Sequence, residues 1–401
     1  MNKNRALVIY SGGLDTTVIL ALLKEEGWRD IHAVTIDVGQ PSEDLRQAEI
    51  RAAHLGVTQL TIDAKSEFAD KYCSVAMAFN ADYFGYPLST AIARPLIAEK
   101  AAEYARVHGP FDAVVHGCTG KGNDQFRLEF GLRRHLPGVP ILAPVREKNW
   151  TRSEEIEYAH EVGAPIGQSK ERVWSIDENV WGRSIEGGKL EDPNHEPPEE
   201  VFQWTASNAL SPDRAETVEV EFYDGIPVSL NGRAGALIDL IVEANSVAGK
   251  HGVGRVDIME DRLIGLKVRE NYECPGAVFL IAAHKALEAL VCGPQERKFK
   301  AIVDQQWAEL AYAGLWGDPL FDGLVAFSES IQKRVSGKVR LKLFKGSLSV
   351  VGRKSPWALY SEADASFDDT TFDQNAMTGM VQTHGMSSLL YARLKDNERK
   401  A

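Results

Sequence analysis

Two short stretches of this 401-residue chain concentrate groups able to do chemistry. The first is Ser11-Gly12-Gly13-Leu14-Asp15-Thr16-Thr17, which follows the apolar run 6–10 and opens a helical pattern. Backbone N–H groups and the positive end of a helix dipole then converge on one spot, the natural seat of an anion. Adjacent glycines let the main chain approach closely, and Ser11, Thr16 and Thr17 add hydroxyls. The bland alternative is a glycine turn between a strand and a helix, with Asp15 as a local cap. A G-x-x-x-x-G-K-[ST] loop, which would imply cleavage between the β and γ phosphates, is absent. Its nearest match, GCTGKG at 117–122, fails both the spacing and the hydroxyl residue after the lysine.

The second stretch is His116-Gly117-Cys118-Thr119-Gly120-Lys121-Gly122-Asn123-Asp124-Gln125-Phe126-Arg127, again after a β-rich run. So many polar groups at a strand end are costly unless a polar ligand satisfies them, although a solvated turn would look similar. Arg127 can grip a carboxylate in a bidentate pair, and Asn123 and Asp124 can orient an amine, a set that specifies an amino acid. Lys121 offers further positive charge. No dedicated general base stands out, although Asp124 could take an amine proton if hydrogen-bonded to it.

SGGLDTT resembles the SGGxD[ST] loop of the ATP pyrophosphatase superfamily, whose members split ATP into AMP and pyrophosphate to adenylate an acceptor oxygen. The resemblance implies that Ile9, Tyr10, Ser11, Gly12, Gly13, Leu14, Asp15, Thr16 and Thr17 hold ATP. Asp15 would act through Mg²⁺ brought with ATP or by ordering the loop, with no resident metal. Ile36, at the end of the second strand, would lie beside the adenine, since ligands bind at the carboxyl ends of parallel strands.

GxTGKGNDQxR then resembles the signature of the argininosuccinate synthase family. Tyr86-Pro87-Leu88 with Ala93-Arg94-Pro95, Trp174-Ser175-Ile176-Asp177-Glu178-Asn179, and the run 248–255 fit the same pattern, over nearly the whole chain to about Tyr360. The resemblance implies a ligase that joins L-citrulline to L-aspartate through citrullyl-AMP, in the cytoplasm, as a homotetramer. It places Gly117 against ATP and Thr119, Asn123 and Asp124 on aspartate. It places Tyr86, Asn123, Arg127, Ser175, Ser184, Glu260 and Tyr272 on citrulline. Asp124, Lys121 and Asp15 are the candidates for catalytic roles. The chain departs from the pattern at Thr17, where serine is common, at Ser89 and Ala91, where the run usually reads Gly-Thr-Ser, and at Cys118, where alanine is usual. Ala91 lacks a hydroxyl that would reach citrulline, leaving the backbone or Thr90 to substitute.

Other readings are less well served. A tRNA thiolase wants paired reactive cysteines and a basic RNA face, and a glutamine-dependent amidotransferase wants a glutaminase domain. A nucleotide sensor without turnover would not need the groups at 119–127.

These residues need a frame that brings two strand ends together. Over the first 165 or so residues, runs 6–10, 32–38, 59–63, 112–116 and 139–143 read as strands. They alternate with helical runs 17–26, 43–55, 66–79, 95–108 and 153–161. The fold class is α/β, a doubly wound parallel sheet, which the resemblance implies is of the adenine nucleotide alpha hydrolase-like kind. Pro and Gly punctuation sets a boundary near 167, and the expected domains are 1–167 for nucleotide, 168–362 for substrate binding and multimerisation, and 363–401 as a helical oligomerisation arm. The second domain reads as α+β, with a strand from Thr217, helices over 236–248 and 277–291, and a hairpin over 338–352 turning at 345–347. His251 and His284 read as structural.

Composition excludes several classes. A net charge of −12 without a basic run disfavours nucleic acid and anionic membrane. Lys3 and Arg5 precede too short an apolar run for a signal segment, and 277–291 is broken by His284, Lys285 and Glu288, so no membrane span is expected. The four cysteines have no CxxC spacing and read as reduced, mostly packed thiols.

Overall fold

The computed structural model describes residues 3–166, 174–368, 371 and 373–399. It has two compact units, Met1–Trp357 and Ala358–Ala401.

The first unit opens with β1 (Arg5–Ile9), α1 (Leu14–Glu25), β2 (Asp30–Asp37), α2 (Ser42–His54), β3 (Thr58–Asp63), α3 (Ala93–His108), β4 (Ala113–Val115), α4 (Asp124–His135), β5 (Ile141–Leu142) and α5 (Arg152–Glu161). The strands form one parallel sheet in the order β3-β2-β1-β4-β5. Strand alternation divides β1 between two cores: Leu7 faces one, Ala6 and Val8 the other. The strand order reverses between β1 and β4, so the loops leaving these two neighbours open side by side at the carboxyl edge. That is the topological place for a nucleotide.

The rest of the unit comprises β6 (Ser175–Asn179), β7 (Gly182–Glu186), β8 (Glu216–Tyr223), β9 (Ile226–Leu230), β10 (Arg233–Ala234), α6 (Leu237–Lys250), β11 (Arg255–Asp261), β12 (Lys267–Glu273), α7 (Pro275–Val291), α8 (Pro294–Ala313), α9 (Pro319–Gln332), β13 (Gly337–Phe344) and β14 (Ser347–Lys354). It carries a five-stranded sheet, β10-β9-β8-β13-β14, and a four-stranded antiparallel sheet, β11-β12-β7-β6. One apolar cluster runs from Leu7 through Trp181 and Phe279 to Leu343, so both expected domains share a core.

The sequence reading held for the parallel sheet and missed detail elsewhere. The fifth strand shrinks to two residues, and the helix expected over 66–79 is three pieces, Lys65–Phe68, a π-helical Ala69–Cys73 and Ser74–Ala78. The long helices α8 and α9 went unread although each starts with proline after a suitable cap, Gly293 or Asp318. The cysteines are free, three of them buried. His251 and His284 are buried in hydrogen-bonded networks, His251 with Glu216 and His284 with Asn80 and Gln332. No described helix is long and apolar enough to cross a membrane.

Candidate active site

The cradle forms as its residues demand. Gly12 has φ +76, and a Cβ there would stand 2.5 Å from the Ala48 side chain, so only glycine lets the loop fold onto α2. Arg51 of α2 donates to the Gly12 carbonyl. Helix α1 starts after Gly13 with no side-chain cap, leaving its first N–H groups open to an anion. Ser11 and Thr16 share a hydrogen bond at 3.1 Å, as do Tyr10 and Thr17 at 3.2 Å, so the hydroxyls are ordered around the turn. Thr35 donates to the Tyr10 carbonyl at 2.8 Å, tying the end of β2 to the loop. The Ile36 carbonyl accepts from Gln40 at 3.0 Å, which fixes the chain as it leaves β2.

Asp15 meets a residue that local sequence did not flag. Glu155, on α5, is buried with Oε2 unpartnered, and the two carboxyl groups are hydrogen-bonded. Burial first and the charge of Asp15 second push Glu155 up to about 8; burial also raises Asp15. Beside a phosphate cradle this is a raised acidic pair, with Arg152 opposing the rise of both carboxyls.

The second loop lies against the first. A Cβ on Gly117 would fall 2.8 Å from the Thr16 side chain, so this glycine allows the two loops to touch. His116 is buried and accepts from the Cys118 N–H at 3.2 Å. Gln125 donates to the carbonyls of Gly120 and Gly122, both at 2.9 Å, and accepts from Arg146 at 3.0 Å. The loop is thus braced from within. Burial drives the Cys118 thiol well above its ordinary range, leaving it neutral and inert. Lys121 is exposed at the loop tip, and the half-buried Thr119 hydroxyl meets no described partner.

At the start of α4 each candidate has a defined geometry. Asp124 accepts from Arg94 through Nε at 2.9 Å and Nη2 at 2.7 Å, and from Arg127 at 3.0 Å. Arg94 also bridges to Asp177 on β6. Burial alone would raise the Asp124 carboxyl, but the two guanidinium groups hold it below the usual range. This is a correction to the sequence reading: Asp124 is a fixed acceptor and a weak base, suited to orienting an amine and not to taking its proton.

Arg127 is buried, donating through Nε to the Tyr312 carbonyl at 2.8 Å and through Nη1 to Asp124, with its guanidinium 4.8 Å from the Tyr312 ring. Only Nη2 is unpartnered, so the open two-nitrogen fork expected for a substrate carboxylate is replaced by one free nitrogen. Asn123 accepts from the Leu263 N–H at 2.9 Å and donates to the Tyr312 hydroxyl at 2.6 Å, leaving one amide hydrogen.

The four-stranded sheet supplies the facing wall. Its register pairs Asp177 with Ser184, Ser184 with Tyr272, and Tyr272 with Val256, and a two-residue period puts Glu260, Glu270 and Glu186 on the same face. Tyr272 donates to Glu260 at 3.1 Å and stacks on Tyr86 with ring centroids 4.0 Å apart. The Tyr86 hydroxyl accepts from the N–H groups of Thr90 and Ala91 and pairs with the Thr90 hydroxyl at 2.7 Å. The buried Tyr86 hydroxyl therefore ties down this turn, and Thr90 holds it where Ala91 lacks a hydroxyl. Ser184 lies half-buried, 3.4 Å from the Asp177 carbonyl. Ser175 is exposed on the edge strand β6, where its register partner is Glu186, so it lies on this same face at the outer end of the cluster.

Comparison with known proteins bears on this arrangement. Residues 5–165 match the family model described as arginosuccinate synthase N-terminal HUP domain, and residues 174–391 match the arginosuccinate synthase C-terminal domain. The chain belongs to the argininosuccinate synthase family. It is 53% identical over 391 residues to the argininosuccinate synthase of Methanocaldococcus jannaschii, covering 97% of this chain and 98% of that one. It is 52% identical to that of Archaeoglobus fulgidus, covering 97% and 99%. Arg94, Asp177, Glu155, Arg262 and Tyr312 are residues of this candidate site that sequence reasoning passed over. Arg94 and Asp177 sat inside motifs already quoted, whereas the others carry no local signal.

Proposed function

We propose that the chain performs its family's reaction, the ATP-dependent ligation of L-citrulline and L-aspartate to argininosuccinate, AMP and pyrophosphate, in the cleft between the two strand-end loops and the four-stranded sheet. The observation that carries this residue-level reading is Arg127: a buried guanidinium with one unpartnered nitrogen, facing the Tyr86–Tyr272 stack and Glu260.

The citrulline ureido oxygen attacks the α-phosphorus, and pyrophosphate leaves into the Ser11–Thr17 cradle. The uncapped N–H groups of α1 stabilise the charge that develops on it. Gly117 allows ATP to lie across both loops. Tyr86 and Tyr272 form a flat wall for citrulline, with Ser184, Glu260, the Asn123 amide hydrogen and Arg127 Nη2 as polar contacts. Thr119, Asn123 and Asp124 orient aspartate so that its amine displaces AMP, and fixed placement supplies much of the acceleration. Mg²⁺ fits as part of the ATP substrate, because the Asp15–Glu155 pair presents an unpartnered buried oxygen; these two residues would hold it, and it would offset phosphate charge. Lys121, exposed at the loop tip, adds mobile positive charge near the same phosphates.

The same reading treats 1–167, 168–362 and 363–401 as nucleotide domain, substrate domain and oligomerisation arm of a cytoplasmic homotetramer. The exposed Leu389, Leu390 and Leu394 of the Met386–Glu398 helix support the arm.

Arg127→Lys tests the site. It keeps the charge and loses the fork that holds Asp124 and Tyr312 while presenting Nη2, so the citrulline KM should rise by about 10-fold or more, the scale of a charge-assisted hydrogen bond. An unchanged citrulline KM would remove Arg127 from the site.

A further inference from the structure

We propose that Arg262 is a positioning residue that locks the loop of Lys121 and Asn123 onto the four-stranded sheet and so sets the affinity for aspartate. This rests on the assignment of Thr119, Asn123 and Asp124 to aspartate made above.

Arg262 directly follows β11, two residues beyond Glu260, and its guanidinium is largely buried. Nη1 donates to the Lys121 carbonyl at 3.0 Å, while Nη2 reaches Glu186 at 2.6 Å and also Glu270. The neighbouring Leu263 N–H donates to Asn123, and the Tyr312 hydroxyl that receives the Asn123 amide hydrogen itself donates to the Asp261 carbonyl at 3.3 Å. The turn 261–263 thus grips the second loop at two points and closes a ring through Tyr312. None of these bonds belongs to a strand ladder; those from Arg262 to the Lys121 carbonyl and from Leu263 to Asn123 join the sheet that carries Glu260 and Tyr272 directly to the loop that carries Thr119 and Asn123. Of the aspartate-binding groups, Thr119 lies two residues before Lys121 and Asn123 and Asp124 two and three after it, so releasing its carbonyl lets them shift together.

A purely structural role is the competing account, since Arg262 also pairs with the carboxyl groups of Glu186 and Glu270, and burial followed by the charges of Glu186 and Glu260 drives Glu270 up to about 9. Lysine separates the two. An ammonium group can neutralise the pair but cannot span both carboxylates and the carbonyl as a planar fork does.

The experiment compares full-length wild type with Arg262→Lys, Glu186→Gln and Thr119→Val. It measures citrulline-dependent ATP–pyrophosphate exchange without aspartate, the KM for each amino acid in the full reaction, and thermal stability. For Arg262→Lys we expect the aspartate KM to rise about tenfold, the citrulline KM to rise less, through Asn123 alone, and exchange at saturating citrulline to stay within about twofold. Should that variant fold poorly, Glu186→Gln, which removes a half-exposed anchor of the same guanidinium, should raise the aspartate KM about threefold with normal stability. An unchanged aspartate KM, or equal losses in exchange and ligation, would overturn the proposal. Thr119→Val distinguishes the deeper failure: if it leaves the aspartate KM unchanged, the site assignment falls, and if it raises that KM while Arg262→Lys does not, only the clasp falls.

Discussion

Asp124 shows how neighbours decide what a side chain can do. Two arginines hold its carboxylate and lower its basicity, so its contribution is a fixed negative acceptor at the start of α4. Asp124→Asn keeps the size and removes that charge, leaving Arg94 and Arg127 with a weaker anchor. Ligation should fall about tenfold more than citrulline-dependent pyrophosphate exchange, the scale of one charged hydrogen bond. Equal losses in the two assays would contradict the role. What was legible here was what lies close along the chain. Gly12, Gly117 and the Asn123–Arg127 cluster follow strand ends and announce themselves by type and spacing. Glu155 meets Asp15, and Tyr312 meets Asn123, only after folding, and no periodicity encodes such encounters. The same blindness gave Arg127 an open fork, because sequence names the donor and cannot show that Tyr312 and Asp124 already occupy it.

At the scale of elements, the parallel sheet was readable because each strand is a short apolar run closed by a turn, and its order puts the β1 and β4 loops together. The four-stranded sheet was not, because β6, β7, β11 and β12 carry charged residues on both faces, which blurs the apolar–polar alternation that marks a strand. Helix α8 is fastened to α7 by a buried polar cluster: Lys300 pairs with Asp304 at 2.6 Å and Glu288 at 3.0 Å, and Asn80 donates to both carboxylates. Burial pushes Asp304 up to about 6, with Lys300 opposing and Glu288 adding to the rise. A carboxyl whose folded pKa exceeds its unfolded value binds its proton more tightly when folded. Its stabilising effect is therefore full below about pH 4 and is lost as pH rises through about 6. Asp304→Asn cannot titrate, so its stability relative to wild type should improve between pH 4 and pH 7 by up to about 3 kcal/mol. Denaturant unfolding at the two pH values checks this, and a pH-independent difference would contradict it.

For the molecule as a whole, the unit ending at Trp357 holds every residue of the candidate site, while Ala358–Ala401 is a separate unit whose Met386–Glu398 helix exposes Met386, Leu389, Leu390, Tyr391 and Leu394. So many exposed apolar side chains on one short helix favour burial against another copy. Deleting 358–401 should lower the oligomeric state in light scattering while the 1–357 unit keeps its far-UV circular dichroism. An unchanged assembly would show that the arm is dispensable for it.

The central claim is that the paired strand-end loops split ATP between its α and β phosphates to join two amino acids. Product analysis of the full-length protein with ATP and Mg²⁺, given citrulline and aspartate together and singly, tests it most directly. The account predicts stoichiometric AMP, pyrophosphate and argininosuccinate only when both amino acids are present. Release of ADP and phosphate, or turnover that does not depend on citrulline, would contradict it.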